Sequence, residues 1–444
     1  MRRMNIDTIF TLRMQYRVGQ LARIATAIAE AGALVGEIVI RRVGDEHTIR
    51  DITVETADEA HTIAVAAKIA AIDGVEIMEQ RDGVFDRHKG GKLHMTSRIP
   101  LRDISDLRYA YTPGVARVAL AIKERPELAW IYTSLANSVG IFTNGTRVLG
   151  LGDIGPLASL PVMEGKAVLY DKFAGISAVP ILINTKDPRE FVDTVVRVSQ
   201  SFGGIHLEDI RIPDCLWIEE ELDRRLPKPV MHDDQHGTAI VALAALINVA
   251  RNLHFDLKQA RVGQIGLGAA GGAIARLAMS YGVKEMIVTD KDQGAIARLE
   301  AAGAHGATYE QLMSQADIVI ATTGRPGLIQ RQHVRKGQVI FALSNPNPEI
   351  DPSDAMEAGA AYASDGKTIN NALAFPGIFK GALAARSAQI TPEMKIAAAL
   401  AIAREAESGE VVPNPLLRSV HYAVATAVEI MAREQGLTGT AQLE

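Results

Sequence analysis

Residues Arg261 to Asp290, RVGQIGLGAAGGAIARLAMSYGVKEMIVTD, read as a strand, a glycine turn at Gly266, Gly268 and Gly271, an amphipathic helix, and a second strand closed by an acid. A strand opening through glycines into a helix is the first unit of a doubly wound parallel sheet, and few other folds accommodate it. The first glycine permits the tight turn, the second lets a phosphate approach backbone N–H groups, and the third lets helix and strand pack. Ala269 and Ala270 supply backbone between them, at the helix N-terminus that favours a pyrophosphate. Asp290 lies about 20 residues beyond the last glycine, placed to accept hydrogen bonds from adenosine ribose hydroxyls. Its charge would repel a 2′-phosphate and so favours NAD, while the adjacent Lys291 leaves room for NADP.

The alternation continues to Ala363, with strands expected at Val262–Ile265, Glu285–Thr289, Ile318–Ala321, Val339–Leu343 and Ala361–Ala363. Thr323, just past the third of these, and Asn345, in FALSNPNP past the fourth, fall at the carboxyl edge of the sheet, where ligands collect. At 444 residues the chain exceeds one core. The expected order is a small α+β domain at 1–85, a polar linker at 86–98, an α/β catalytic domain at 99–235, a Rossmann-type domain at 236–390, and packing helices at 391–444. A net charge of −5 with mixed signs presents no basic face to nucleic acid or anionic lipid. No apolar run is long enough to span a bilayer, and the Met1-Arg2-Arg3 start lacks an apolar signal core. The single cysteine, Cys215, rules out an internal disulfide and reads as a buried small hydrophobe, so a reducing, cytoplasmic setting is expected.

The first 85 residues have a different rhythm. A strand from Met4 to Met14 is followed by a helix from Val18 to Ala31. Strands Leu34–Arg42 and His47–Thr56 flank a Gly44-Asp45 turn, a helix capped by Asp58 runs to Ala71, and Val75–Gln80 is a last strand. This is a split βαβ plan. The segment resembles the ACT regulatory fold, which implies a small ligand, an amino acid first, near Gly19 in RVGQL. Val18 departs from the proline common there. Without a ligand the same unit reads as a dimerisation module.

Two carboxylate pairs, Glu208-Asp209 and Asp233-Asp234, lie upstream of the glycine turn. A hard divalent cation takes several oxygen ligands, so such a chain can hold a metal-chelated acid beside a nicotinamide ring. All-oxygen ligands without sulfur favour Mg²⁺ or Mn²⁺ over zinc. Taken singly, acidic pairs are more often solvated faces, and Asp233 reads as a cap for a helix beginning near Gln235. His232 and His236 flank the acids and read as supporting or surface residues.

Five stretches in order, AYTPGVA, TNGTRVLGLGDIG, VMEGKAVLY, HLEDI with HDDQHGTA, and FALSNP with INNALAFPGIF, resemble a malic enzyme of the compact bacterial type. The resemblance is dense from Leu101 to Phe379. It implies oxidative decarboxylation of (S)-malate to pyruvate and CO₂, with Tyr111 and Lys166 as the catalytic tyrosine and lysine. It also implies metal ligands at Glu208, Asp209 and Asp234, a malate-binding arginine at Arg147, and amides at Asn345 and Asn371 that contact substrate and nicotinamide. Asp233 matches the acid beside the metal, either competing with Lys166 as base or holding it. Lys166 can take the C2 hydroxyl proton only if burial and cation charge lower its pKa. One departure stands out: Gly366-Lys367-Thr368 replaces the aromatic-proline step common before Asn370-Asn371. A homodimer or higher oligomer is implied, with Tyr111 serving its own or a neighbouring subunit. A malolactic reaction with retained NAD and a ligand sensor with a vestigial core are the alternatives.

Overall fold

The computed structural model describes residues 6–148 and 150–439. Met4, the expected start of the first strand, and Met1 to Arg3 lie outside them. The chain divides into two compact units, Met1–His94 and Met95–Glu444.

The first unit contains β1 (Ile6–Gln15), α1 (Gln20–Glu30), β2 (Leu34–Val43), β3 (His47–Thr56), α2 (Glu59–Ala70) and β4 (Val75–Asp82). The strands form one antiparallel sheet in the order β2-β3-β1-β4. Period-two alternation turns Thr8, Phe10, Leu12 and Met14 of β1 inward. The last three pack with Ile24 and Ile28 of α1 and Val65 and Ile69 of α2. Asp58 caps α2 by accepting the His61 N–H at 2.8 Å. The expected linker opens differently. Gly83–His88 is a short helix capped by Asp82, and Arg81 bridges Asp51 at 2.8 Å and Asp86 at 2.7 Å. That charge pairing orders residues whose polarity alone reads as a linker.

The second unit carries two parallel sheets. The first, β6-β5-β7-β8, is built from β5 (Ser138–Thr143), β6 (Ser177–Leu182), β7 (Gly204–Leu207) and β8 (Val230–His232). The second consists of β9 (Arg261–Ile265), β10 (Glu285–Thr289), β11 (His305–Gly306), β12 (Ile318–Ala321), β13 (Val339–Ala342) and β14 (Tyr362–Asp365). Its order, β11-β10-β9-β12-β13-β14, is the doubly wound order of a dinucleotide-binding sheet. At two residues, β11 is too short to show any periodicity. The switch point lies between β9 and β12, at the glycine turn.

One helix, Asp233–Asn252, leaves the end of β8 and is buried along most of its length. It runs through residue 235, the expected boundary between two domains. Ile240, Leu243 and Leu246 join the largest core together with Ala273 and Ala278 of the helix Ala269–Tyr281. Helices Phe375–Ala385, Pro392–Glu405 and Arg418–Glu434 add to that core. Among the described residues no helix is long and apolar enough to cross a membrane. Because Leu243 is 1% exposed, Leu243→Ala is expected to destabilise this unit by about 2–5 kcal/mol. Calorimetric melting checks this, and an unchanged transition would contradict a central role for the helix.

Candidate active site

The glycine turn forms as its spacing predicts. Gly266 has φ 86° and donates its N–H to Thr289 O at 3.0 Å. A side chain at Gly271 would collide with the Gly266 carbonyl and the Thr322 hydroxyl, so only glycine fits there. The helix Ala269–Tyr281 begins at Gly268 with no side-chain cap, so Ala269 and Ala270 lie in a first turn whose N–H groups suit an anion. Asp290 Oδ2 accepts the Leu267 N–H at 2.5 Å and Oδ1 accepts the Asp292 N–H at 2.9 Å. The acid therefore also braces the turn. Across the switch point, Thr323 donates its hydroxyl to Glu349 at 2.9 Å and its N–H to the same carboxylate at 2.7 Å. Ser344 hydrogen-bonds Glu349 as well. Glu349 is fully buried and ties together the loops after β12 and β13. Asn345, next in the chain, is exposed at that rim. A Cβ at Gly366 would stand 2.6 Å from Asn345 Nδ2, which accounts for glycine in the segment that departs from the family pattern.

The acids sit where β7 and β8 end, the carboxyl edge of the first sheet. Glu208 and Asp209 follow β7, and Asp233 and Asp234 open the helix after β8. Ligand atoms of Glu208, Asp209 and Asp234 lie within 4.8 Å of one another. Asp209 holds a left-handed backbone, φ 55°, unusual for a residue with a side chain. Its N–H donates to Asp234 Oδ2 at 2.9 Å, and its carbonyl accepts the Arg147 N–H at 3.1 Å. The Arg147 side chain is exposed beside this turn.

Lys166, on the helix Gly155–Leu169, reaches into the acids. Its ammonium contacts Asp233 closely and Glu208 at 3.2 Å, over the Phe375 ring at 4.7 Å. Burial pulls the Lys166 pKa down, but Asp233 and Glu208 outweigh it and hold the group above its ordinary value. The lowered pKa expected of a base is not found while these two acids flank the ammonium. Burial lifts Glu208 well above the usual carboxylate range; Lys166 draws it down, while Asp234 and Asp233 push it up. Asn371 donates to Asp233 Oδ2 at 2.6 Å.

Beneath Glu208 lies a buried pair that no local pattern announces. His206 Nε2 is 2.6 Å from Glu208 Oε2, and its Nδ1 is 2.9 Å from the Tyr170 hydroxyl. Burial lowers the His206 pKa to about 3. The ring is therefore neutral, and its two nitrogens bridge Glu208 and Tyr170. Ligand atoms of His206, Glu208 and Asp233 also lie within 4.8 Å of one another, but the Lys166 ammonium already bridges the last two. The all-oxygen set of Glu208, Asp209 and Asp234, which shares only Glu208 with that bridge, fits a hard divalent cation better.

Tyr111 is not gathered in. It is 64% exposed, and the helices around it, Ile104–Ala110 and Gly114–Glu124, bury no residue. His232 is fully buried, with Nε2 3.4 Å from Asp234, so a surface role is excluded for it. His236 pairs with Glu219 at 3.0 Å. Cys215 is buried, and burial first, then Asp234 and Glu219, raises its thiol pKa to about 12, as an inert core residue requires.

Family comparison agrees with this geometry. The malic enzyme N-terminal domain matches residues 91–223, and the malic enzyme NAD binding domain matches residues 307–433. The NAD binding domain of D-isomer specific 2-hydroxyacid dehydrogenases matches residues 239–327. NAD-dependent malic enzyme 1 of Bacillus subtilis is 52% identical, covering 93% of this chain and 94% of that one. The NAD-dependent malic enzyme of Geobacillus stearothermophilus is 40% identical, over 92% and 90%. The crystal structure of a malic enzyme from Pyrococcus horikoshii superposes with a TM-score of 0.76 at 36% identity, covering 80% of this chain and 91% of that one. The chain belongs to the malic enzyme family.

Proposed function

We propose that this chain oxidatively decarboxylates (S)-malate to pyruvate and CO₂ with reduction of NAD, using Mg²⁺ or Mn²⁺ held by Glu208, Asp209 and Asp234. The supporting observation is Lys166 seated between Glu208 and Asp233 beside the clustered carboxylates, in a chain similar to NAD-dependent malic enzymes. Asp290, an acid at the ribose position, favours NAD over NADP.

The residues divide the work by their chemistry. Arg147 grips a malate carboxylate bidentately, which a lysine does not imitate. Asn345 and Asn371 contact substrate and nicotinamide, and Asp233 with Asn371 holds the Lys166 amine in place. Lys166 takes the C2 hydroxyl proton, which requires weakening of the two carboxylate contacts that keep it charged. Neutralising the charge on Glu208 weakens one of them. NAD held at the glycine turn of Gly266, Gly268 and Gly271 would supply the hydride acceptor, and a divalent cation held by Glu208, Asp209 and Asp234 would supply the Lewis acidity for oxidation and decarboxylation. As the C3–C4 bond breaks, its electrons pass to the enolate. Tyr111 then protonates C3 and is resupplied through Lys166.

The exposed helices around Tyr111, with Leu107, Tyr109 and Leu120 among their uncovered apolar residues, support a symmetric homo-oligomer that covers them. The antiparallel first unit supports an ACT-like site for a small effector, an amino acid first. A cytoplasmic setting fits a nicotinamide enzyme with one buried thiol.

Mixing the protein with malate, Mn²⁺ and either cofactor is expected to release reduced cofactor, NADH from NAD faster than NADPH from NADP. Lactate formed without net NADH would instead favour the malolactic reaction, and no turnover with either cofactor would favour a sensor with a vestigial core. Adding amino acids to the same assay is expected to change the rate, and an unresponsive panel would count against the effector site. Lys166→Ala should lower malate oxidation about 10²–10⁴-fold, whereas Tyr111→Phe should most impair tritium exchange into pyruvate. Unimpaired exchange in Tyr111→Phe would overturn that tyrosine's role.

A further inference from the structure

Glu219 points from the helix Asp214–Arg225 to the opening turn of the helix Asp233–Asn252. Its Oε1 accepts the His232 backbone N–H at 2.7 Å. Its Oε2 accepts from Gln235 Nε2 at 2.9 Å and contacts His236 Nε2 at 3.0 Å. The three partners bracket Asp233 and Asp234 in sequence. The helix has no side-chain N-cap bond; Glu219 accepts the N–H of its N-cap residue His232 from another helix, the bond that the N3 acid of a capping box makes locally.

Nothing in the proposed chemistry uses Glu219 directly, and its three bonds require it to be ionised. Burial pushes its pKa up, but His236 and Lys395 outweigh that and hold it at about 2. A fixed acceptor with three donors on one turn sets both its position and its rotation. That turn decides where Asp234 faces Asp209 and where Asp233 faces Lys166.

We propose that Glu219 is a positioning residue for the acidic pair: by clamping His232, Gln235 and His236 it holds Asp234 in register with Glu208 and Asp209 for a divalent cation. This rests on the reading of those three carboxylates as the cation site. Glu219→Ala removes every bond. Glu219→Gln keeps the shape and one acceptor, but turns an amide toward the Gln235 and His236 donors.

Calorimetric titration of Mn²⁺ into full-length wild type, Glu219→Ala, Glu219→Gln and Asp234→Asn tests it, with NAD titration and thermal melting alongside. Glu219→Ala is expected to weaken Mn²⁺ binding about 10–100-fold, leave NAD affinity unchanged, and lower kcat more than it raises the malate KM. Glu219→Gln is expected to fall between it and wild type. A folded Glu219→Ala with wild-type Mn²⁺ affinity overturns the inference. If that variant does not fold, Glu219→Gln decides it in the same way. Wild-type Mn²⁺ affinity in Asp234→Asn would overturn the cation site itself, and this inference with it. Loss in Asp234→Asn without loss in Glu219→Ala overturns the role of Glu219 alone.

Discussion

Four carboxylates, from Glu208, Asp209, Asp233 and Asp234, share a mostly buried region with the Lys166 ammonium. Removing so much negative charge from water is costly unless it is paired or metal-bound. The strain is visible in Glu208, whose carboxyl is pushed well above the usual range, and in the left-handed backbone of Asp209. Such a cluster persists when a binding requirement offsets its cost. The same imbalance gives Lys166 two masters: its charge compensates the acids, while its proposed chemistry needs it neutral. Charge arriving at Glu208 would resolve both at once.

The fold meets this requirement by convergence. Strands β5, β7 and β8 are parallel neighbours, so the segments leaving their carboxyl ends meet at one edge. Arg147, the Glu208-Asp209 pair and the Asp233-Asp234 pair each follow one of these strands. The helix Asp233–Asn252 then carries the last pair into the core that also packs the dinucleotide sheet. A rigid core element thus joins the acidic cluster to the glycine turn. Buried polar groups complete the support: Tyr170 and His206 orient Glu208, Asn371 steadies Asp233, and Glu349 holds the loops that carry Thr323 and Asn345.

Features with a local repeat were legible in the sequence. Period-two alternation marks β1, the Gly44-Asp45 turn marks the hairpin of β2 and β3, and the spacing of Gly266, Gly268 and Gly271 marks the glycine turn and its helix, because each signal lies within a few adjacent residues. The two-residue β11 has no room for such a signal, and the helix Gly83–His88 depends on the Arg81 charge pairing rather than on an apolar stripe. Partners far apart in the chain were invisible. Nothing local marks Glu349 as the partner of Thr323, or His206 as the partner of Tyr170, until the fold brings them together. Tyr111 is expected from its motif alone, and the chain leaves it exposed, because a motif carries no record of the surface around a side chain.

The most direct test is a crystal grown with Mn²⁺ and measured for anomalous scattering. A peak bonded to oxygens of Glu208, Asp209 and Asp234, with Lys166 still beside Asp233, is the predicted result. A peak held by His206, Glu208 and Asp233, or no peak anywhere among these acids, would contradict the idea that this acidic cluster exists to bind a cation.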